Sequence, residues 1–287
     1  MRDYPAIEIR FTAGAGADDD VVVNGLLGGL DDFRPTAIEE RAGAWRVFFE
    51  SAAARDLALA WIHEAAPRVV ASSIDVPDDD WARRSQANLG PIQVNRVVVT
   101  PPWAVESARA MAAANGAIVV VIVPSTGFGT GHHASTRLCL ALLQEIPLVG
   151  RSALDIGTGS GVLAIAAALL GAGRAAAVDN DPDAIETARE NIALNATPVA
   201  IETAVEDLRH SSRPPADVVM ANLTGELLCR AAPDVAKFTV PGGRCIVSGV
   251  MNHERDRVVS VFATAGLEHL KTIVEDEWVG MLFARGW

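Results

Sequence analysis

The chain of 287 residues is poor in cysteine, in aromatic residues and in positive charge. The three cysteines, Cys139, Cys229 and Cys245, are widely spaced and lie in apolar segments, which indicates reduced core residues and excludes a disulfide framework or a cysteine metal cluster. Lys and Arg number 24 against 36 Asp and Glu, so the net charge is −12. This charge argues against a general nucleic-acid binder, which has a basic face, and is compatible with a basic protein partner.

Long hydrophobic runs are also missing from the sequence. Met1–Pro5 leads directly into an alternating pattern without the apolar core of a signal peptide. No apolar run reaches the length of a transmembrane helix without a glycine or a charge. Half of the residues are nevertheless hydrophobic, which is enough for a substantial core. The sequence therefore predicts a folded cytoplasmic protein with no membrane partner.

The first part of the chain has the pattern of a small mixed domain. Ile7, Ile9 and Phe11 alternate with polar residues, as in a half-buried strand. A helix, a hairpin turned at Ala42–Gly43, a second helix and a last strand follow, in the order βαββαβ. This order predicts a ferredoxin-like α+β domain over residues 1–77.

A change of composition marks the end of this domain. Pro77–Asp80 is a turn-forming and acidic segment, and the polar residues that follow it predict a linker over residues 78–103. The linker includes a β-rich run at Val94–Thr100. From residue 104 to residue 287, strand and helix patterns alternate, which predicts a Rossmann-like α/β domain with a mostly parallel sheet and a final antiparallel pair.

The strongest motif of the second domain is a glycine turn. An apolar strand ends in Asp155 and is followed by Gly157, Gly159 and Gly161, and then by an apolar helix. The dinucleotide-binding fingerprint has its third glycine three residues after the second, whereas Gly161 is only two residues after Gly159 and Val162 occupies the required position. The spacing therefore disfavours a diphosphate ligand and an NAD-dependent oxidoreductase.

A second acidic residue defines the ligand further. Asp179 ends the next strand, about twenty residues beyond the turn, where a carboxylate can accept hydrogen bonds from ribose hydroxyls. A nucleoside without a diphosphate fits this pattern, and S-adenosyl-L-methionine is such a ligand. The pattern resembles that of class I methyltransferases. Gly157 and Gly159 are predicted to let the cofactor approach, Gly161 to pack a helix, and Asp155 either to reach the cofactor's ammonium group or to brace the turn.

The end of the fourth strand carries the candidate catalytic residue. Asn222 can accept a hydrogen bond from an amine and aim its lone pair at a methyl group. Methyltransferases of adenine and glutamine have Asn-Pro-Pro-aromatic here, whereas this chain has Asn222, Leu223, Thr224 and Gly225. Nucleobase methylation is disfavoured, because no aromatic residue is available to stack on a base.

Several segments together resemble one family. Phe128–Thr136 reads Phe-Gly-Thr-Gly-His-His-Ala-Ser-Thr, and it occurs with the glycine turn, with Asp179, with Asn222 and with Trp278 near the end of the chain. The chain resembles, over nearly its whole length, the bacterial methyltransferases that modify large-subunit ribosomal protein eleven. The resemblance implies trimethylation of lysine side chains and of the N-terminal amine of that basic protein, with the small domain recognising it. The acidic charge and the missing aromatic residue after Asn222 predict no direct nucleic-acid specificity.

The resemblance also implies a set of cofactor contacts. The family usually has Phe-Gly-Thr-Gly-Thr-His-Pro-Thr-Thr in the first segment, where His132, Ala134 and Ser135 now replace Thr, Pro and Thr. This difference leaves open a related methyltransferase that acts on another protein or a small amine, or a non-catalytic cofactor-binding homologue. The implied cofactor-binding positions are Thr136, Gly157, Asp179 and Asn222, with Phe128, Gly129, Thr130 and Gly131 nearby.

No general base is evident in the sequence. His132 and His133 lie close to the expected site, but adjacent histidines in a glycine-rich loop are more often structural or exposed. A lysine amine, with an ordinary pKa of ~10.4, must lose its proton before it attacks a methyl group. Desolvation lowers that pKa, so bulk water can take the proton.

Overall fold

The computed structural model describes residues 3–11, 26, 30, 33, 35–41, 44–66, 69–77, 89–124 and 132–287. The chain divides into two compact units, Met1–Asn88 and Leu89–Trp287. The sequence predicted that the second domain begins at residue 104, but the second unit begins fifteen residues earlier, at Leu89. Residues 89–103 therefore belong to the second unit.

The first unit contains a four-stranded antiparallel sheet. Its strand order is β2-β3-β1-β4, which is the order of a ferredoxin-like sheet. Of the first predicted helix, only Leu26 and Leu30 lie among the described residues, and both are helical and buried. The elements are β1 Asp3–Phe11, β2 Ala37–Arg41, β3 Ala44–Phe48, α1 Ala52–Ala65 and β4 Val69–Pro77.

Alternation along the strands creates the core of this unit. Ile7 and Ile9 on β1 lie on one face and pack with Trp45 of β3 and with Ile62 of α1. Helix α1 begins at Ser51, whose hydroxyl accepts a hydrogen bond from the backbone N–H three residues later at 3.2 Å. Helix α1 therefore covers one apolar face of the sheet.

The second unit begins with a three-stranded sheet of order β5-β6-β7. Strands β5 and β6 form a hairpin whose turn contains Asn95 with φ of 49°. Strand β7 is parallel to β6, and a helix connects the two. The elements are β5 Ile92–Val94, β6 Val97–Thr100, α2 Val105–Asn115 and β7 Ile118–Val121.

A seven-stranded sheet makes up the rest of the second unit. Its order is β10-β9-β8-β11-β12-β14-β13, and β14 is antiparallel to both neighbours. The final antiparallel pair agrees with the sequence, which did not foresee that β14 lies between β12 and β13. The elements are α3 Ala134–Leu143, β8 Ser152–Ile156, α4 Val162–Leu169, β9 Arg174–Asp179, α5 Pro182–Ala193, β10 Ile201–Val205, β11 Ala216–Asn222, α6 Gly225–Phe238, β12 Thr239–Met251, α7 Arg255–Thr264, β13 Leu267–Glu275 and β14 Trp278–Arg285.

The sheet is apolar on both faces, as parallel sheets generally are. In β8, Ala153 packs into the cluster on one face, while Leu154 and Ile156 pack into the cluster on the other. The chain order reverses between β8 and β11, and ligands of doubly wound sheets bind at the carboxyl ends of the strands beside such a reversal. Among the described residues, no helix is both long and apolar enough to cross a membrane.

Candidate active site

A cleft of about 850 Å³ opens at the carboxyl ends of β8, β9 and β11. Five of the predicted site residues line this cleft together, although they are spread over almost ninety residues of sequence. Asp155 does not line it, and Phe128, Gly129, Thr130 and Gly131 fall outside the described residues. The five that line it are Thr136, Gly157, Gly159, Asp179 and Asn222.

The glycine turn brings backbone into the cleft because its residues have positive φ. Gly157 and Gly159 have φ of 66° and 52°, a region that side chains with a Cβ rarely adopt. The N–H of Gly157 donates to the carbonyl oxygen of Val178 at the end of β9, at 2.9 Å. Gly161 also has a positive φ, of 81°, and a Cβ there would in addition lie 3.3 Å from the Cβ of Ala188 on α5. It allows α4 to pack closely on α5, as the sequence suggested.

Asp179 is fixed at the rim of this turn. Its Oδ2 accepts a hydrogen bond from the N–H of Gly159 at 3.1 Å, and its Oδ1 accepts one from the N–H of Asp181, also at 3.1 Å. Each carboxylate oxygen has a second lone pair, so both can still accept from a ligand hydroxyl. Asp181 caps α5 by accepting from the N–H of Asp183 at 2.9 Å, as expected for the residue before a helix-starting proline.

Asn222 stands half-buried at the carboxyl end of β11. Its Nδ2 lies 3.4 Å from the Oγ1 of Thr136, which is buried in the first turn of α3. This is a long contact for a hydrogen bond. It nevertheless brings together two predicted site residues from separate elements on one side of the cleft.

Gly249 is a site residue that the sequence analysis did not identify. It has φ of 81° and lines the cleft near the end of β12. A Cβ at this position would lie 2.4 Å from the carbonyl oxygen of Leu223 and 3.0 Å from Oδ1 of Asn222. The neighbouring Ser248 carbonyl accepts from the N–H of Leu223 at 3.0 Å. The only sequence signal was a glycine near the end of the strand after Asn222.

His133 and Trp278 form another wall of the cleft. The His133 ring meets the Trp278 ring edge-on, with the centroids 4.5 Å apart, and its Nδ1 accepts from the N–H of Ser135 at 3.3 Å. Burial lowers the pKa of His133, which favours the neutral ring. His133 therefore caps α3, whereas Nε2 of His132 lies 3.1 Å from the carbonyl oxygen of Gly90.

Two acidic residues after β10 also line the cleft, and both are engaged by arginines. Glu206 binds the guanidinium of Arg213 at 3.1 Å and the hydroxyl of Ser211. Asp207 pairs with Arg209, whose hydrogen bonds lower the pKa of that carboxyl to about 2. Both carboxylates hold the loop after β10 through these contacts.

Asp155 is buried beneath the turn and braces it. Its side chain is 1% exposed, and its Oδ2 accepts from Oγ1 of Thr158 at 2.7 Å and from the N–H of Ala164 at 3.2 Å. Burial raises the pKa of this carboxyl to about 7, although the bonds from Thr158 and Ala164 oppose the rise and the charge of Asp179 adds to it. Of its two predicted roles, the structure favours bracing.

Replacing Asp155 with asparagine should change the pH dependence of stability. The carboxyl has a pKa of about 7 in the folded state, above its ordinary value of 3.8, so between these values the folded state keeps a proton that the unfolded chain has released. The free energy of unfolding therefore falls as pH rises through this window. Asparagine does not titrate in this window. The free energy of unfolding of Asp155→Asn, relative to that of the wild type, should therefore rise by a few kcal/mol as pH increases across the window.

Urea unfolding at several pH values between these two limits measures this gain. The difference in unfolding free energy between variant and wild type should shift steadily in favour of the variant. A difference that stays constant with pH would show that Asp155 is ionised in the folded protein as it is in the unfolded chain.

The sheet order and the cleft together define a class of protein. In the second unit, the antiparallel strand β14 lies between β12 and β13, a glycine turn follows β8, and β9 ends in an acidic residue. This is the fold of a class I methyltransferase.

Comparison with known proteins identifies the family. Residues 41–286 match the family model of ribosomal protein L11 methyltransferase (PrmA). Ribosomal protein L11 methyltransferase of Pelobacter propionicus is 38% identical over 225 residues, covering 76% of this chain and 70% of the relative. Its counterpart in Heliobacterium modesticaldum is 35% identical over 249 residues, covering 86% of this chain and 75% of the relative. The chain belongs to the ribosomal protein L11 methyltransferase family.

A solved structure agrees with the fold. The crystal structure of ribosomal protein L11 methylase from Lactobacillus delbrueckii subsp. bulgaricus matches with a TM-score of 0.60. The match covers 69% of this chain and 99% of that chain at 24% sequence identity. At this identity the likeness supports the fold only.

Proposed function

We propose that this protein uses S-adenosyl-L-methionine to methylate lysine side chains, and also the N-terminal amine, of ribosomal protein L11. The observation that carries the proposal is the placement of Asn222 beside Thr136 in the same cleft as the glycine turn and Asp179. The names of the relatives from Pelobacter propionicus and Heliobacterium modesticaldum support L11 as the acceptor.

The residues of the cleft fit this cofactor. Asp179 has lone pairs available for ribose hydroxyls, and the positive-φ backbone at Gly157 and Gly159 carries no Cβ to block a close approach. Leu208 and Leu227 provide apolar surface in the cleft, which suits a planar base. The segment Phe128–Gly131 is proposed to contact the cofactor because its family motif continues into Thr136.

The chain's own residues then orient the acceptor. When bound, S-adenosyl-L-methionine would supply a methyl group on a sulfonium sulfur; in-line attack of an amine lone pair on the methyl carbon would break the carbon–sulfur bond and release the sulfur as a thioether. The amide oxygen of Asn222 accepts a hydrogen bond from the amine N–H and so directs the lone pair into the cleft. Trp278 and His133 exclude water on one side, and this desolvation lowers the pKa of the amine from ~10.4 so that more of it is neutral.

Charge favours a basic acceptor protein over a nucleic acid. The chain carries a net charge of −12, which attracts a basic partner over long range and repels phosphates. Asp181, Asp183 and Asp234 line the cleft and add negative charge there. The ferredoxin-like unit is proposed to recognise the acceptor, as the family resemblance implies.

Mass spectrometry of L11 incubated with the protein and S-adenosyl-L-methionine tests the proposed function. The expected result is mass gains in steps of ~14 Da, located by peptide mapping on lysines or the N-terminus. L11 without the cofactor is one control, and an unrelated basic protein of similar size is the other. If L11 gains no mass while calorimetry shows cofactor binding, the acceptor is wrong and the cofactor assignment stands.

A further inference from the structure

A buried amide on α5 joins the glycine turn of the cleft to a backbone segment that lies far from it in the sequence. Asn191 is 0% exposed. Its Nδ2 donates to the carbonyl oxygen of Ser160 at 2.8 Å, and its Oδ1 accepts from the N–H of Val123, also at 2.8 Å. Ser160 belongs to the glycine turn, and Val123 lies just before the segment 125–131. One side chain therefore links the glycine turn to the backbone that follows β7.

A second asparagine, Asn195, bonds the backbone near β7 but not the glycine turn, so it provides a control for Asn191. The Oδ1 of Asn195 accepts from the N–H of Val121 at 2.9 Å, and its Nδ2 donates to the carbonyl oxygen of Val121 at 2.8 Å. Four helical residues advance roughly 6 Å and two strand residues roughly 6.6 Å, so Asn191 and Asn195 can follow the same strand edge. The N–H between them, at Ile122, points the other way and bonds Thr100 of β6 at 2.9 Å.

The two asparagines both bond the backbone near β7, but they differ in their contact with the glycine turn. Asn195 pairs backbone groups of Val121 at the end of β7, and Asn191 pairs the N–H of Val123 two residues beyond it, so both satisfy backbone groups along one extended edge. Only Asn191 continues to the glycine turn. A change at Asn195 therefore reports the structural cost of losing an edge contact, and a change at Asn191 reports that cost together with the loss of the bridge.

The bond to Ser160 fixes one peptide group within the turn. The carbonyl of this peptide group accepts from Asn191, and its N–H, which belongs to Gly161, donates to the carbonyl oxygen of Thr158 at 2.9 Å. The N–H of Gly159, two residues before that of Gly161, donates to Asp179. A rotation of the peptide group at Ser160 would therefore displace the part of the turn that faces the cleft.

We propose that Asn191 is a positioning residue for the cofactor cleft. It does not line the cleft, and it acts by anchoring the glycine turn at Ser160 to the backbone of Val123. This inference rests on the proposed function, because the affinity it controls is that for S-adenosyl-L-methionine.

The test compares Asn191→Ala with Asn195→Ala by calorimetric titration with S-adenosyl-L-methionine and by thermal unfolding. Both variants should lower Tm, since each loses buried or half-buried amide bonds. Asn191→Ala loses one bond to Val123 and one to Ser160, and Asn195→Ala loses two bonds to Val121 and one to the carbonyl oxygen of Asn191. Only Asn191→Ala should weaken cofactor Kd, by about ten-fold, equivalent to ~1.4 kcal/mol, when titrated well below the unfolding midpoint of every variant. Asn191→Asp, titrated at pH 8, is the second variant, because an ionised carboxylate still accepts from Val123 but cannot donate to Ser160.

The outcomes separate the two proposals. Weaker binding by both Asn191 variants and wild-type affinity in Asn195→Ala would support the positioning role. Wild-type affinity in the Asn191 variants, or equal weakening in Asn195→Ala, would overturn it and leave Asn191 as a structural residue. Failure of the wild-type protein itself to bind the cofactor would overturn the proposed function and this inference with it.

Discussion

Replacing Asn222 with alanine is expected to lower kcat for methylation of L11 by about a hundred-fold or more, with a much smaller change in cofactor Kd. The side chain stands at the end of β11, where its amide oxygen can hold an acceptor amine, and Thr136 lies 3.4 Å from its Nδ2. Alanine removes the group that directs the amine lone pair and leaves the glycine turn in place. Steady-state kinetics with L11 measures kcat, and calorimetric titration with S-adenosyl-L-methionine measures Kd.

Two further variants make this result specific. Asn252→Ala alters an exposed asparagine that does not line the cleft and should leave both quantities unchanged. Asp179→Ala should weaken cofactor binding and have a smaller effect on kcat at saturating cofactor, which is the reverse of the effect of Asn222→Ala. The reason is that ribose contacts are made equally in the bound ground state and in the transition state. If Asn222→Ala changed only the KM for L11, Asn222 would be a binding residue and the orienting role would be wrong.

Four of the five predicted residues that line the cleft share a position in the fold. Gly157, Gly159, Asp179 and Asn222 all stand where a strand ends, and the carboxyl ends of parallel strands meet at one edge of a sheet. The local sequence pattern is then sufficient to predict these residues, because a strand and its final residue can be recognised without knowing which strand it pairs with. The parallel sheet and the glycine turn were predictable for the same reason.

Features that depend on contacts distant in sequence were not predictable in this way. Strand β14 pairs with both β12 and β13. The sequence pattern of each strand would be the same if β13, and not β14, lay next to β12. Asp155 could face the cleft or the core with the same sequence, and only the packed structure shows the hydroxyl of Thr158 and the N–H of Ala164 meeting it from the core side.

The misplaced boundary of the second unit has a similar origin. Strands β5 and β6 are only three and four residues long, and they are stabilised by β7, which follows a helix, and by a side chain on the far end of α3. Gln144 accepts from the N–H of Arg96 at 2.8 Å and donates to the carbonyl oxygen of Val94 at 3.0 Å. The polar residues before this hairpin made the whole segment resemble a linker.

Gly249 is the position where structure adds most to the sequence, and Gly249→Ala should destabilise the protein by about 3 kcal/mol and abolish most methylation. Alanine would be strained at φ of 81°, and its Cβ would lie 2.4 Å from the carbonyl oxygen and 2.8 Å from the carbonyl carbon of Leu223. Backbone atoms cannot rotate away as a side chain can, so β11 and β12 must separate where Asn222 is held. Urea unfolding measures the stability, and the L11 assay measures the activity.

Gly266→Ala is the matched control for this variant. Gly266 also has a positive φ, of 88°, but no atom lies within 4 Å of a Cβ built there. The Gly266→Ala variant should lose only about 1 kcal/mol of unfolding free energy, from backbone strain, and should retain methylation activity. The difference between the two variants isolates the close approach of Gly249 to Leu223 from the strain that both share. Equal losses in both would mean that the Leu223 carbonyl moves aside without displacing Asn222, and the spacing between β11 and β12 would then not determine the geometry of the site.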